Sequence, residues 1–134
     1  MDVIDPSTSG WKPRTLEGFI GSVGPLWTRK EDAAWAYGFV PTSQHTNPAG
    51  LVHGGLLMTL IDHALSAIAW EEAGRRACVT IQIDVRFLNA VRRPALIEAR
   101  GRVVRRTATL SFAEGQLTVG ADIVVTASAI LKIL

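Results

Sequence analysis

A short stretch in the middle of the chain holds residue types that could act together on an acyl group. It combines an amide, an imidazole, glycines and a carboxylate, at Asn47, Gly50, His53, Gly54, Gly55 and Asp62. Glycines at the start of a helix let a ligand approach the free N–H groups of the first turn, where the helix dipole favours negative charge. Such donors stabilise the oxyanion that forms during acyl transfer. The stretch therefore indicates an enzyme site, with a tight structural turn as the alternative.

Asp62 interrupts the longest apolar segment of the chain, which runs from Leu56 to Trp70. Burying a carboxylate is costly unless the group is hydrogen-bonded, paired or tuned for reaction. A solvent-facing gap or a subunit contact is the alternative. His63 follows directly but points about 100° away around a helix, so the two side chains do not form a dyad. We predict a reactive role for Asp62 and none for His63.

The spacing limits how the two ends of this stretch can cooperate. Nine residues separate His53 from Asp62, which corresponds to roughly 13 Å along a helix. One substrate carbonyl cannot contact both ends within a single chain. If both act on one substrate, the carboxylate comes from one subunit and the N–H donor from another. The spacing thus predicts active sites at a two-fold dimer interface.

Hydrophobic periodicity predicts one long helix over residues 54–73, which is apolar nearly all round and belongs at the centre of a fold. A narrow polar stripe runs along it at Thr59, Asp62, His63 and Ser66. A shorter helix is predicted over residues 16–26. Alternation and β-branched residues predict strands over residues 33–40, 79–87, 95–105, 109–119 and 123–134.

The last four strands are joined by turn-like links, which predicts an antiparallel meander. In the first of them, Val79, Ile81 and Ile83 alternate with polar residues such as Thr80 and Gln82. The closing strand carries little charge to protect an edge, so it is expected to pair with another subunit. A single long helix and a sheet with one apolar face predict an α+β fold, a curved antiparallel sheet wrapped around the helix.

Composition predicts one domain over residues 1–134, with residues 1–12 loosely packed because they mix Asp, Pro, Ser and Gly. The net charge is only +2 despite a pI of about 9.1, and no dense basic patch marks a nucleic-acid binder. We therefore expect neither nucleic acid nor a membrane as a partner.

Cys78 is the only cysteine, which excludes an internal disulfide and a cysteine-based zinc cluster and fits a reducing compartment. The first residues carry Asp2 and Asp5 where a signal peptide would be basic. The apolar segment is also shorter than a membrane span. These features predict a cytoplasmic protein.

The pattern Asn-x-x-Gly-x-x-His-Gly-Gly with a downstream Asp resembles that of hotdog-fold acyl-CoA thioesterases, specifically the phenylacetate-degradation branch of the 4-hydroxybenzoyl-CoA thioesterase superfamily. The resemblance covers about residues 33–134. It implies that Asp62 is the general base or nucleophile and that the Gly54 N–H polarises the thioester carbonyl. Asn47 would hold the carbonyl or the attacking water, Thr80 would orient that water, and His53 would support the helix start.

The same resemblance implies an acyl-CoA substrate, no metal, no cofactor and a dimer that assembles further into a dimer of dimers. Substrate contacts are expected from Gly55, Arg105 and Arg106, and the coenzyme A phosphates could also meet Arg92 and Arg93. Leu57, Met58 and Ile61 are expected near the acyl group.

Three alternatives stay open. A non-catalytic acyl-CoA-binding module would retain the acyl-CoA-binding groove but not the catalytic carboxylate. A hotdog dehydratase would use a histidine with an acidic residue. A purely structural oligomeric domain would need another explanation for the carboxylate.

Overall fold

The computed structural model describes residues 3–134 and contains two α-helices and seven strands. The elements in chain order are β1 (Lys12–Arg14), α1 (Gly18–Val23), β2 (Leu26–Glu31), β3 (Ala34–Phe39), α2 (Gly54–Glu72), β4 (Cys78–Phe87), β5 (Ile97–Arg106), β6 (Leu110–Val119) and β7 (Asp122–Ile133). The strands form one antiparallel sheet in the order β1-β2-β3-β5-β6-β7-β4. The predicted α+β architecture, a sheet packed on one long helix, is confirmed.

Helix α2 is held close to the sheet by a pair of facing glycines. Gly101 of β5 lies opposite Gly115 of β6, and a Cβ on either would stand 2.9 Å from Cδ2 of Leu65. The bare backbone therefore admits the fully buried Leu65 side chain into the sheet. The helix buries a broad apolar face made of Leu56, Leu57, Leu60, Ile61, Ala64, Leu65 and Ala69. No helix in the described part of the chain has the length and hydropathy to span a membrane.

The predicted meander of the last four strands is wrong in one connection. The links at residues 107–109 and 120–121 are short enough for hairpins, so β5, β6 and β7 are sequential neighbours. The longer segment 88–96 instead carries the chain across, so that β4 pairs with β7 and β5 pairs with β3. The edges of the sheet are therefore β1 and β4, and the closing strand β7 is interior, which overturns the expectation that β7 pairs with another subunit.

A β-bulge in β4 overturns the simple alternation expected there. Thr80 pairs with Leu131 and Gln82 pairs with Ile130, so Ile81 is an extra residue on β4. A bulge shifts the side-chain alternation by one position. As a result Thr80 faces α2, as Ile83 does farther along, although strict alternation would place these two side chains on opposite faces.

The N-terminal region differs from its expectation in two ways. The predicted helix over 16–26 is only the six-residue α1, because β1 and β2 form a hairpin-like pair on either side of it. Residues 3–12 are also more structured than their composition predicts, since Trp11 is only 2% exposed and packs under the Arg29 guanidinium, 4.4 Å from its ring centroid. Met1 and Asp2 lie outside the described residues.

Candidate active site

The start of α2 presents one free N–H group. His53 is the N-cap residue, and its Nδ1 accepts a hydrogen bond from the Gly55 N–H at 2.8 Å. The Gly54 N–H has no acceptor among residues 3–134. The helix dipole adds to its strength as a donor to developing negative charge. Of the two glycine N–H groups, the cap therefore occupies that of Gly55 and leaves that of Gly54 for a ligand.

The two glycines differ in what a side chain would meet. A Cβ on Gly55 would stand 2.9 Å from Nδ1 of His53, so any larger residue would displace the capping ring. A Cβ on Gly54 would make only an ordinary contact, 3.5 Å from the Phe87 ring at the end of β4. Gly55 is thus required by the cap, whereas Gly54 is free of that constraint.

Asn47 closes the loop that leads into α2. Its Oδ1 accepts hydrogen bonds from the N–H groups of Ala49 and Leu51, both at 3.0 Å. The same turn places Gly50 at φ 81°, a conformation that favours glycine. Because the side-chain oxygen is committed to the loop, only the Asn47 amide N–H groups remain to contact a carbonyl or a water.

Asp62 and Thr80 are in direct contact in the structure. The Thr80 hydroxyl donates to Asp62 Oδ1 at 2.7 Å, and the bulge at Ile81 makes this contact geometrically available. Asp62 is half-buried on the exposed side of α2. One carboxylate oxygen is therefore held in place while the side chain stays accessible from outside the chain.

Ser66, which the sequence analysis placed in the polar stripe without a role at the site, is a further member of this cluster. Its Oγ lies 3.3 Å from Thr80 Oγ1. A threonine hydroxyl has one proton, and that proton is directed to Asp62, so Ser66 must donate to Thr80. The polar stripe of α2 contained the signal, since Asp62 and Ser66 are one helical turn apart.

Loss of either hydroxyl should lower turnover less than loss of the carboxylate. We expect Thr80→Ala to reduce kcat by about tenfold to a hundredfold, because Asp62 loses its orienting donor, and Ser66→Ala to reduce it by a smaller factor. Steady-state kinetics on an acyl-CoA substrate measure both, with Thr80→Ser as the variant that should retain turnover. Equal turnover of Thr80→Ala and wild type would show that Thr80 does not orient the reacting groups.

A cavity of about 510 Å³ opens beside this cluster along the later turns of α2. Ser66 forms part of its wall, so the cavity lies next to the Asp62–Thr80 pair. The remaining wall is mainly aromatic and aliphatic, from Leu16, Leu26, Trp35, Tyr37, His63, Ala67 and Trp70. Burial lowers the pKa of His63, an effect partly offset by Asp62.

The residues expected to line an acyl site do not line this cavity. Leu57 and Ile61 are buried in the core, and Met58 is 42% exposed on another part of the helix. The N-terminal strands β1 and β2 supply much of the wall instead, through Leu26, Thr28 and Arg14. Sequence periodicity could not indicate this, because the cavity depends on strands that the pattern did not predict.

The arginines fall into two groups. Arg106 contacts Glu72 at the C-terminal end of α2, with Nε 3.5 Å from its carboxylate, and this end is about 15 Å along the helix from Asp62. Arg105 is exposed on β5 beside it. Arg92 instead pairs with Leu51 in the loop that precedes α2. Within one chain, Arg92 is therefore closer to the Gly54 N–H than either Arg105 or Arg106.

Comparison with known proteins identifies the family. A family model described as the thioesterase superfamily matches residues 49–126. A candidate esterase of Pseudomonas aeruginosa is 31% identical over 91 residues, which are 67% of this chain and 68% of that protein.

Two solved structures show the same fold. A conserved protein from Pseudomonas aeruginosa has a TM-score of 0.79 at 20% identity, over 90% of this chain and 96% of that chain. A Bacillus halodurans protein solved with CoA has a TM-score of 0.74 at 18% identity, over 80% of this chain and 72% of that chain. By the family model and the 31% identical relative, this chain belongs to the thioesterase superfamily, and its sheet and central helix have the hotdog fold.

Proposed function

We propose that this protein is an acyl-CoA thioesterase that hydrolyses its substrate to a free acid and coenzyme A. The observation that carries the proposal is Asp62, a half-buried carboxylate held by Thr80 at 2.7 Å beside an apolar cavity. The free Gly54 N–H supplies the second requirement of the reaction, an oxyanion donor. Membership of the thioesterase superfamily, and a similar fold solved with CoA, support the same reaction.

In the proposed reaction Asp62 accepts a proton from a water molecule as that water attacks the thioester carbonyl carbon. The carbonyl oxygen becomes an oxyanion that the Gly54 N–H stabilises, and Thr80 keeps the carboxylate oriented. The C–S bond then breaks and coenzyme A leaves as a thiolate. A thiol is far more acidic than an alcohol, so this leaving group departs as a thiolate with little acid assistance. Direct attack by Asp62, followed by hydrolysis of an anhydride, is the alternative route to the same products.

The proposed site is shared between two subunits. Gly54 and Asp62 of one chain are separated by about 12 Å along α2, so one carbonyl cannot contact both. The edge strand β4 pairs only with β7, so the backbone on its other side is open beside Thr80, and Val79 and Ile81 are 49% and 58% exposed. Antiparallel pairing of two β4 strands would cover these side chains and bring Gly54 of the partner subunit towards Asp62.

Several finer assignments belong to the same proposal. The motif from Asn47 to Asp62 favours the phenylacetate-degradation branch of the family. Dimers are proposed to associate into a tetramer, and the single Cys78 fits a cytoplasmic protein. For the coenzyme A phosphates, Arg92 and Arg93 join Arg105 and Arg106 as candidates, since Arg92 pairs with the loop before α2.

Release of free thiol from a panel of short-chain, medium-chain and aryl acyl-CoA thioesters tests the proposed function. We expect catalytic release from at least one class. Binding of acyl-CoA without release would instead support the non-catalytic module. Conversion of a β-hydroxyacyl-CoA to an enoyl-CoA without thiol release would support a dehydratase.

A further inference from the structure

One polar group in the cavity beside Asp62 has no assigned role. Tyr37 of β3 is only 7% exposed and lines the cavity, and its hydroxyl forms no hydrogen bond with any residue from 3 to 134. The hydroxyl oxygen is not among the fully enclosed polar atoms that lack a partner, so it stays accessible from the open side of the cavity. Among the polar groups of the wall, Arg14 donates to Thr28 and Ser66 contacts Thr80, whereas the Tyr37 hydroxyl is free to bind a ligand.

The surroundings of Tyr37 keep its hydroxyl in the donor form. Burial raises the pKa of Tyr37 to about 12, and the negative charge of Glu71 contributes to the shift. His63 packs edge-on against the Tyr37 ring, with ring centroids 6.3 Å apart, and fixes its position. Across the cavity, Arg14 directs its Nε to the Thr28 hydroxyl at 2.8 Å.

We propose that Tyr37 is a specificity-determining residue, which donates a hydrogen bond to a neutral oxygen on the distal part of a medium-length acyl group. This inference rests on the proposed thioesterase function, with the thioester at Asp62 and the acyl group in the adjacent cavity. Tyr37 selects between substrates and takes no part in the bond-breaking step.

Two features define the class of acyl group. Tyr37 packs against His63 and shares the cavity wall with Glu71, one and nine residues beyond Asp62, so its ring lies beside a stretch of α2 centred about 8 Å from Asp62. Acetyl is too short to reach that ring. Glu71 repels a distal carboxylate, and Arg14 in the same wall already donates to Thr28, so the preferred distal group is a neutral hydroxyl, ether or ketone.

Matched substrate pairs test the inference directly. The pairs are hexanoyl-CoA with ω-hydroxyhexanoyl-CoA, and octanoyl-CoA with ω-hydroxyoctanoyl-CoA. We expect wild type to prefer the oxygenated member of at least one pair by about threefold to tenfold in kcat/KM. In Tyr37→Phe the ratio should fall to about one, because the donor is lost while the ring and its packing stay.

A control variant separates hydrogen bonding from cavity shape. Leu16→Ala changes the wall at a partly exposed position, so it should alter both members of a pair alike and keep their ratio. Tyr37→Phe should not lower the Tm, since its hydroxyl has no protein partner to lose. A ratio near one in wild type for both pairs, or an unchanged ratio in Tyr37→Phe, would overturn the inference.

Binding measurements test the role of Tyr37 without relying on turnover. Calorimetric Kd values for the same pairs are measured on Asp62→Asn and on Asp62→Asn combined with Tyr37→Phe. The same threefold to tenfold preference, lost with the Tyr37 hydroxyl, would support the inference even if wild type released no thiol. Absence of thiol release contradicts the proposed function, whereas equal Kd values within each pair contradict the role of Tyr37.

Discussion

Replacing Asp62 with asparagine is expected to lower thioester hydrolysis by about 10³-fold while leaving the fold and acyl-CoA binding intact. Asparagine has nearly the volume of aspartate, and its Oδ1 can still accept the hydrogen bond that Thr80 donates. What it lacks is the basic oxygen that takes a proton from water or attacks the carbonyl. Thiol release in steady state gives the rate, and calorimetric titration with acyl-CoA gives the affinity.

Asp122→Asn is the matched control for Asp62→Asn. Asp122 is an exposed residue at the start of β7, so this substitution removes one carboxylate from the chain outside the proposed site. We expect its turnover to equal that of wild type. If Asp62→Asn also retained wild-type turnover, the proposed role of Asp62 would be refuted.

The second large effect is expected from Gly54→Pro, which removes the one free N–H at the start of α2. We expect kcat to fall by about 10²-fold to 10³-fold, the usual effect of losing an oxyanion donor. Proline is well accepted at the first position of a helix. His53 already has the extended backbone, φ −62° and ψ 136°, that a residue before proline prefers. The substitution therefore tests the donor with little disturbance of the backbone.

Gly54→Ala separates the loss of the donor from the addition of a side chain. It keeps the N–H, and its Cβ makes an ordinary contact with the Phe87 ring. We expect Gly54→Ala to retain most of the wild-type kcat. An equal loss in the alanine and proline variants would mean that space at Gly54, rather than its N–H, limits the reaction.

Combining the Asp62→Asn and Gly54→Pro variants in one dimer tests whether the active site is shared between subunits. Heterodimers of an Asp62→Asn subunit and a Gly54→Pro subunit can be isolated with two different affinity tags. In a shared arrangement, one of the two sites contains Asp62 from one chain and Gly54 from the other, both wild type. We expect such heterodimers to recover about half of the wild-type rate per dimer. No recovery would place both groups in the site of a single chain and refute the interfacial arrangement.

Local sequence patterns were sufficient for the elements at the centre of the fold. Helix α2 was predicted over 54–73 and is observed over Gly54–Glu72. The prediction succeeds because a long apolar segment with a polar stripe at helical spacing is stable as a buried helix. The strands β3, β5, β6 and β7 were located within two residues at each end, since alternation and β-branching are local properties. The start of α2 was also predicted, from the glycine pair after His53.

Those local patterns did not predict which strands pair with each other. Alternation shows which face of a strand is apolar, but it does not show which strand lies beside it. The segment 88–96 lets β4 cross to β7, and this makes β4 the edge that carries the proposed dimer contact. The two N-terminal strands were not predicted for a related reason, because β1 and β2 are stabilised mainly by pairing with adjacent strands rather than by packing on α2.

The sequence by itself determined the central helix, the sheet-forming segments and the types of residue at the candidate site, because these depend on periodicity, capping and chemical character. Only the tertiary structure decided which of those residues meet. The bulge at Ile81 directs Thr80 to Asp62, and residues of β1, β2 and β3 face α2 across the cavity that Tyr37 lines. Both depend on register and on contacts between distant segments, which no local pattern specifies.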